Sequence, residues 1–353
     1  MAKKVLMTGN EAAGEAAVHA GCQAYYGYPI TPQNELTEYM AARMPQVGRV
    51  FIQAESELAA INMCYGSSAA GARTMTSSSS PGISLKQEGI SYLAACELPC
   101  VIVNVQRGGP GLGNIAPGQA DYWQATRGGG HGDYRTIVLA PHTVQEVFEL
   151  VALAFDLADK YRTPVLVLSD GRLGQMLEPV VLPELPPPAI PPKPWALTGC
   201  KGREPNVIRS LLLDENELEA LNRRLFARYA EIERREVRYA EYEVEDAEVV
   251  LVAYGTSARI CREAMRRAKG KGWKVGLVRP ITLWPYPAQA LQRAAEHCNF
   301  FVCVEMSYGQ MVEDVRLSVE GRRPVLFTGR TGGNVPSSDE ILATIEVGLR
   351  KCG

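Results

Sequence analysis

A strand-then-helix alternation runs through residues 10–175, stops at a proline-rich stretch and resumes near residue 247, and this restricts the fold more than any other feature. Residues 10–20 read as an Ala- and Glu-rich helix, 24–28 as a strand, 32–44 as a helix, 49–53 as a strand and 57–70 as a helix. The alternation continues with a strand at 73–76, a helix over 85–95, a strand at 101–105, a glycine-rich loop, a helix over 144–160 and a strand at 165–169. Short apolar strands separated by helices hide both faces by lying parallel in one sheet with helices on either side. The segment from Leu182 to Pro194 is dominated by prolines, which fix φ and remove donors, so it reads as a semi-rigid linker. Beyond it, Asp214 and Glu217 have capping-box spacing at the head of a charged helix expected to reach about Tyr242, with Leu218, Leu221, Leu225 and Ile232 on one side. From residue 247 strands are expected at 249–253, 274–278, 300–304 and 325–328, and helices at 257–269, 288–297, 311–319 and 338–349. The expected division is a first α/β domain over 1–180, a linker and charged helix over 181–245, and a second α/β domain over 246–353.

Charge and cysteine spacing exclude several functions. The 37 Lys and Arg are interspersed with 39 Asp and Glu, so nothing asks for nucleic acid. No run approaches the ~18 apolar residues of a membrane span, and the amino terminus lacks a signal peptide, so a cytoplasmic protein with no membrane association is expected. The nine cysteines are then reduced thiols. Iron–sulfur sites use tight C-x-x-C runs, whereas the tightest pairs here are Cys96/Cys100 and Cys298/Cys303, and four histidines give no zinc spacing. This chain is expected to carry no metal or cluster of its own.

In open parallel sheets, ligands bind beyond the carboxyl ends of the strands. Those ends are followed by Pro29-Ile30-Thr31-Pro32, by Glu55-Ser56-Glu57, by the serine run Ser77–Ser80, and by Arg107 with a glycine-rich loop. If the strands are neighbours, a hydroxyl, a carboxylate, serines and a guanidinium converge. Thr31 before a proline suits a helix N-cap, and the same helix end suits a substrate carboxylate. Arg107 is placed either for a structural ion pair or for two-bond recognition of a carboxylate. Glu55 and Glu57, two residues apart, point in different directions, and one of them could serve only to start a helix. The small-residue run Gly66–Ala72 allows close approach of another backbone or of a flat cofactor. His131, in a glycine-rich loop, reads as a surface or hydrogen-bonded histidine, with an acid–base role left open. Gly108–Gly113 does not match a dinucleotide fingerprint.

Four motifs in series, Gly27-Tyr-Pro-Ile-Thr-Pro32, Glu55-Ser-Glu57 with Ala69-Ala-Gly-Ala72, Met75-Thr-Ser-Ser-Ser-Ser-Pro-Gly82 and Val105-Gln-Arg-Gly-Gly-Pro110, resemble the α subunit of 2-oxoacid:ferredoxin oxidoreductases over nearly the whole chain, closest to the branched-chain, 2-oxoisovalerate type. The resemblance implies a pyrimidine-binding domain of the thiamine-diphosphate class followed by a transketolase C-terminal-like domain. It implies oxidative decarboxylation of a 2-oxoacid, with coenzyme A taking the acyl group and electrons leaving one at a time through Fe–S clusters to ferredoxin. Glu57 falls on the family's glutamate that hydrogen-bonds N1′ of the aminopyrimidine. Thr31 and Arg107 fall on positions that bind the substrate carboxylate, and Pro29 and Ile30 lie beside the cofactor. The Gly-Asp-Gly…Asn signature for diphosphate and Mg²⁺ is missing. Thiamine diphosphate is therefore expected to be shared with a β subunit, and Mg²⁺ and Fe–S clusters to reside in partners that include γ and ferredoxin-like δ subunits. The α motif stands near the start of the chain, as in enzymes built from four kinds of subunit. The serine run differs from the Thr-Ala-Thr-Ser-Gly-Pro-Gly pattern of many 2-oxoglutarate-type members, which tilts the substrate towards branched-chain acids. Three alternatives stay open: the pyruvate or 2-oxoglutarate version of the enzyme, the β-type half of a lipoamide-linked 2-oxoacid dehydrogenase, and a non-catalytic scaffold.

Overall fold

The computed structural model describes residues 3–183 and 190–352, and its core is a sheet of strands buried on both faces. The chain begins with β1 (Lys3–Thr8), α1 (Gly9–His19), β2 (Ala24–Gly27), α2 (Asn34–Gln46), β3 (Val50–Gln53) and α3 (Glu57–Ala69). It continues through β4 (Thr74–Ser78), α4 (Ser80–Ala95), β5 (Cys100–Gln106), the short α5 (Tyr122–Arg127), β6 (Ile137–Leu139), α6 (Val144–Tyr161), β7 (Pro164–Asp170), α7 (Gly171–Gln175) and β8 (Leu177–Leu182). Seven strands form the first sheet in the order β12-β6-β7-β5-β4-β2-β3, where β12 is Thr282–Trp284 from far along the chain. Its pairs are parallel except β12 with β6. All seven residues of β5 and of β7 are buried, as a central parallel strand requires. Helices α1, α2 and α6 cover one face, where Met40, Val147, Val151 and Phe155 meet Val101, Val103 and Val105. Helices α3 and α4 cover the other, where Ile61, Ile83, Ile90 and Leu93 meet Ile102 and Leu166.

The second sheet, in the order β14-β13-β10-β11-β9, comprises β9 (Tyr239–Tyr242), β10 (Val249–Val252), β11 (Val275–Pro280), β13 (Phe300–Glu305) and β14 (Val325–Gly329). Four of its strands are parallel, and β9 is an antiparallel edge. Its helices are α9 (Gly255–Lys269), α10 (Ala288–Ala294), α11 (Met311–Val319) and α12 (Ser338–Cys352). These two mainly parallel sheets are the α/β architecture expected from the alternation.

Several expectations need correction. Helix α8 (Glu215–Arg235) ends well before Tyr242, because buried Glu236 turns the chain into β9 while accepting from Lys160 Nζ and Tyr161 Oη. Its buried stripe is Leu221, Leu225, Tyr229 and Ile232, and Leu218 is exposed. Asp214 caps the helix through the Asn216 and Glu217 amides, but the Glu217 carboxylate lies towards Arg209 instead of closing a capping box. Helix α4 starts five residues earlier than periodicity suggested, with Pro81 in its first turn, where a missing amide hydrogen is harmless. The antiparallel ribbon β1-β8 and the three-residue strands β6 and β12 were not anticipated. Of the proline-rich stretch, 184–189 lie outside the described residues.

Candidate active site at the carboxyl edge of the first sheet

The order β5-β4-β2-β3 puts four parallel strands side by side, so the segments following them share one edge. After β2 the chain turns, with the Gln33 amide donating to the Ile30 carbonyl at 3.0 Å, and α2 begins only at Asn34. Thr31 is therefore not an N-cap, contrary to the sequence expectation, because the closed turn holds it two residues short of the helix. Its hydroxyl accepts only a long bond from Asn34 Nδ2, 3.3 Å. A buried network fixes this turn to the sheet: Ser77 Oγ donates to Gln33 Oε1 at 2.6 Å, and Tyr25 Oη lies 2.6 Å from Ser77 Oγ. Pro29 is exposed and Ile30 half-buried on its outer side.

Ser56 caps α3 through the Ala59 amide, which leaves Glu57 as the first helical residue. Glu57 is 6% exposed, whereas Glu55 faces solvent. No hydrogen bond to the Glu57 carboxylate is present among the described residues. That carboxylate rests on Gly82, where a methyl group would fall 2.6 Å from Glu57 Oε1 and 2.1 Å from Ser78 Oγ. The site thus needs glycine at 82 for space.

The serine run divides by function. Ser77 braces the Gln33 turn, and Ser80 Oγ donates to Asp121 Oδ2 at 2.6 Å while accepting from the Arg107 amide at 3.0 Å. Ser78 and Ser79 are fully buried, and their hydroxyls have no partner among the described residues. Burial holds the Asp121 carboxyl above its usual range, against the opposing effects of hydrogen bonds from Ser80 and Asn104 and the charge of Arg107.

Arg107 is 7% exposed. One terminal nitrogen donates to the Thr31 carbonyl at 2.9 Å and the other to the Leu112 carbonyl at 2.8 Å, while Nε is buried without a partner. Among the described residues it forms no ion pair, so the structural pairing considered from sequence is not made. The structure thus brings Thr31 and Arg107 into contact, and the serine run bonds to Arg107 through Ser80 and flanks Gly82 together with Glu57. Asp121 and Gln33, which brace these groups, carried no sequence signal.

Two other candidates fall elsewhere. The run Gly66–Ala72 lies at the opposite end of α3 from Glu57, and Gly71 packs against the Ala196 side chain. His131 is exposed on a loop whose Gly129 and Gly130 press on Gln87 and Ser91. All nine cysteines are free, and seven are buried. No helix among the described residues is long and apolar enough to cross a membrane.

Residues 15–194 match the family described as pyruvate flavodoxin/ferredoxin oxidoreductase, thiamine diP-binding, and residues 247–341 match pyruvate:ferredoxin oxidoreductase core domain II. Ketoisovalerate oxidoreductase subunit VorB of Methanothermobacter marburgensis is 53% identical over 340 residues, covering 96% of each chain. 2-Oxoglutarate synthase subunit KorA of Methanothermobacter thermautotrophicus is 35% identical over 372 residues, covering 98% of this chain and 99% of its own. Among solved structures, 2-oxoglutarate:ferredoxin oxidoreductase from Magnetococcus marinus, with 2-oxoglutarate, coenzyme A and succinyl-CoA bound, is similar with a TM-score of 0.86 at 28% identity. That match takes in 98% of this chain and 65% of the other.

Proposed function

This chain belongs to the 2-oxoacid:ferredoxin oxidoreductase family, and from that premise we propose that it is the α-type subunit of an enzyme that oxidatively decarboxylates a branched-chain 2-oxoacid to acyl-CoA and CO₂, with ferredoxin as electron acceptor. The observation that carries the proposal is the buried guanidinium of Arg107, held by two backbone carbonyls and lacking a carboxylate partner among the described residues. A buried cation without an anion is costly, and a planar guanidinium matches a carboxylate in two bonds. The substrate carboxylate completes that pair, and Thr31, in contact with the guanidinium, offers its hydroxyl to the same group. The preference for a branched-chain acid is supported by 53% identity to a ketoisovalerate enzyme subunit against 35% and 41% to two 2-oxoglutarate synthase subunits.

Thiamine diphosphate fits this edge at its pyrimidine end, because beside Gly82 the Ser78 hydroxyl, and next to it that of Ser79, are buried without a partner among the described residues, and the Glu57 carboxylate has no hydrogen bond among them. When bound, the cofactor supplies the electron sink that lets a 2-oxoacid lose CO₂. Glu57 holds a proton at N1′ of the pyrimidine, Arg107 and Thr31 orient the substrate, and Pro29 and Ile30 give the pyrimidine a small apolar neighbour. A β subunit contributes the diphosphate and Mg²⁺ site, a ferredoxin-like δ subunit the Fe–S clusters, and a γ subunit completes the assembly. The missing Gly-Asp-Gly…Asn signature supports that division.

The lipoamide-linked rival loses ground because both family matches are ferredoxin- or flavodoxin-linked. A scaffold has no use for a buried unpaired guanidinium. Anaerobic purification with native partners, followed by a panel of 2-oxoisovalerate, pyruvate and 2-oxoglutarate with viologen as acceptor, tests the proposal. The isolated chain is expected to be folded and inactive, with activity appearing on mixing with the β-type partner and highest on 2-oxoisovalerate. Turnover by the chain alone would refute the shared site, and a preference for 2-oxoglutarate would refute the substrate.

A further inference from the structure

Helix α4 inverts the usual amphipathic rule where it passes Glu57. Leu85 is 58% exposed, and its neighbour Lys86 is 0% exposed. Lys86 lies one helical turn beyond Gly82, the residue on which the Glu57 carboxylate rests. Its ammonium donates to Thr76 Oγ1 on β4 at 3.0 Å and to the Glu57 backbone carbonyl at 3.3 Å, and no acidic side chain forms an ion pair with it among the described residues. The titratable groups acting on it are Glu57 and Cys64 from α3 and Cys100 from β5, while β4 presents the Thr76 hydroxyl. Burial pushes the ammonium down to about 8, against the charges of those three groups. A lysine in a helix ordinarily reads as part of a solvated face, which is why sequence reasoning passed over it.

We propose that Lys86 is a positioning residue for Glu57, tying the first turn of α3 to β4 and placing a positive charge near the carboxylate that serves the cofactor's pyrimidine. The proposal rests on the reading of Glu57 as the pyrimidine's partner. Two bonds to neutral oxygens could be made by an amide as well as by an ammonium, so the charge is the property peculiar to lysine here. Methionine fills the same volume without charge, and glutamine keeps donors without charge.

The test measures proton exchange at C2 of thiamine diphosphate between pH 6 and 9, in the complex with its native partners, for the wild type, Lys86→Met and Lys86→Gln. At pH 6, where Lys86 is charged, both variants are expected to exchange about tenfold more slowly than wild type. By pH 9, where wild-type Lys86 is itself uncharged, the three rates converge. Equal loss at every pH, recovery in Lys86→Gln, or wild-type rates in both variants would overturn the proposal. A second measurement needs no cofactor: the ¹³Cε titration of Lys86 in the full chain is expected to move to lower pH in Glu57→Gln, since coupling between two sites is reciprocal. An unmoved titration would likewise overturn it. If Glu57→Gln exchanges C2 normally while the Lys86 titration shifts, the pyrimidine reading fails and the Lys86–Glu57 coupling stands.

Discussion

Each of the two α/β units buries a glutamate close to the carboxyl end of a parallel strand, and the two glutamates are treated in opposite ways. Glu305, at the end of β13, accepts from the amides of Gln310, Met311 and Val312 and from Ser307 Oγ. Its oxygens are fully engaged in starting α11, as a carboxylate at a helix N-terminus is. Glu57 starts α3 yet has no hydrogen bond to its carboxylate among the described residues. The arginines differ in the same sense. Arg279, at the end of β11, grips Glu146 through both terminal nitrogens at 2.9 and 2.8 Å, whereas among the described residues the Arg107 guanidinium finds only backbone carbonyls. Burial is common to both pairs, and what separates them is that Glu305 and Arg279 meet amide or carboxylate partners within the chain, while the Glu57 carboxylate and the Arg107 guanidinium meet no such partner among the described residues.

The largest effect should come from exchanging the glutamates for amides. Glu57→Gln is expected to slow C2 proton exchange by roughly 10²–10⁴, the usual contribution of a positioned acid–base group, with assembly and melting temperature near wild type. If Glu57→Gln exchanges normally and Glu55→Gln does not, the assignment is wrong by two residues. Glu305→Gln should do the reverse. Its amide nitrogen faces backbone donors, so charge-assisted hydrogen bonds worth about 1.5–3 kcal/mol each are weakened, and the melting temperature drops while exchange in the surviving fold does not. A catalytic defect in folded Glu305→Gln would break the contrast.

Next in size are the arginines. Arg107→Ala is expected to weaken 2-oxoacid binding by about 2–5 kcal/mol, seen as a raised apparent KM in the reconstituted complex, because the substrate carboxylate loses a desolvated partner. The fold should tolerate it, since only two neutral carbonyls lose a donor. Arg279→Met leaves Glu146 without its bidentate partner and should cost about 3–5 kcal/mol of stability in a thermal or urea melt, with no change in substrate affinity. Wild-type kinetics for Arg107→Ala on every 2-oxoacid tried would return Arg107 to a purely structural role.

The same contrast explains what the sequence could reveal. Strand β5, with Val101, Ile102, Val103 and Val105, and strand β10, a run of Val and Leu, were legible because a strand buried on both faces leaves little choice of residue. Arg107 was legible because an arginine after such a strand is out of place unless something pairs with it. Three-residue strands such as β6 and β12 have too few side chains to show a period, and β12 joins the first sheet from the other side of the linker. Lys86 and Asp121 were illegible for a different reason. Their roles depend on which way a helix face and a loop point, and that orientation is set by packing between elements distant in sequence.

The smallest expected effect, that of Thr31→Val, is the one the structure has sharpened most. From sequence, Thr31 could have contributed both a helix cap and a substrate contact, and its loss would have mixed stability with binding. The helix begins three residues later, and among the described residues the hydroxyl's sole partner is Asn34 Nδ2 at 3.3 Å, a weak bond. The turn is held instead by the Gln33 amide and by Ser77, neither of which uses the Thr31 side chain. Valine keeps the shape and should leave the melting temperature within about 0.5 kcal/mol equivalent of wild type. Substrate affinity should fall by about 1 kcal/mol, the net worth of one hydrogen bond to a carboxylate that Arg107 still holds. Steady-state kinetics and melts on the same preparation separate the two quantities. A lowered melting temperature with unchanged KM would place Thr31 with Glu305 and Arg279, among the groups buried for the fold.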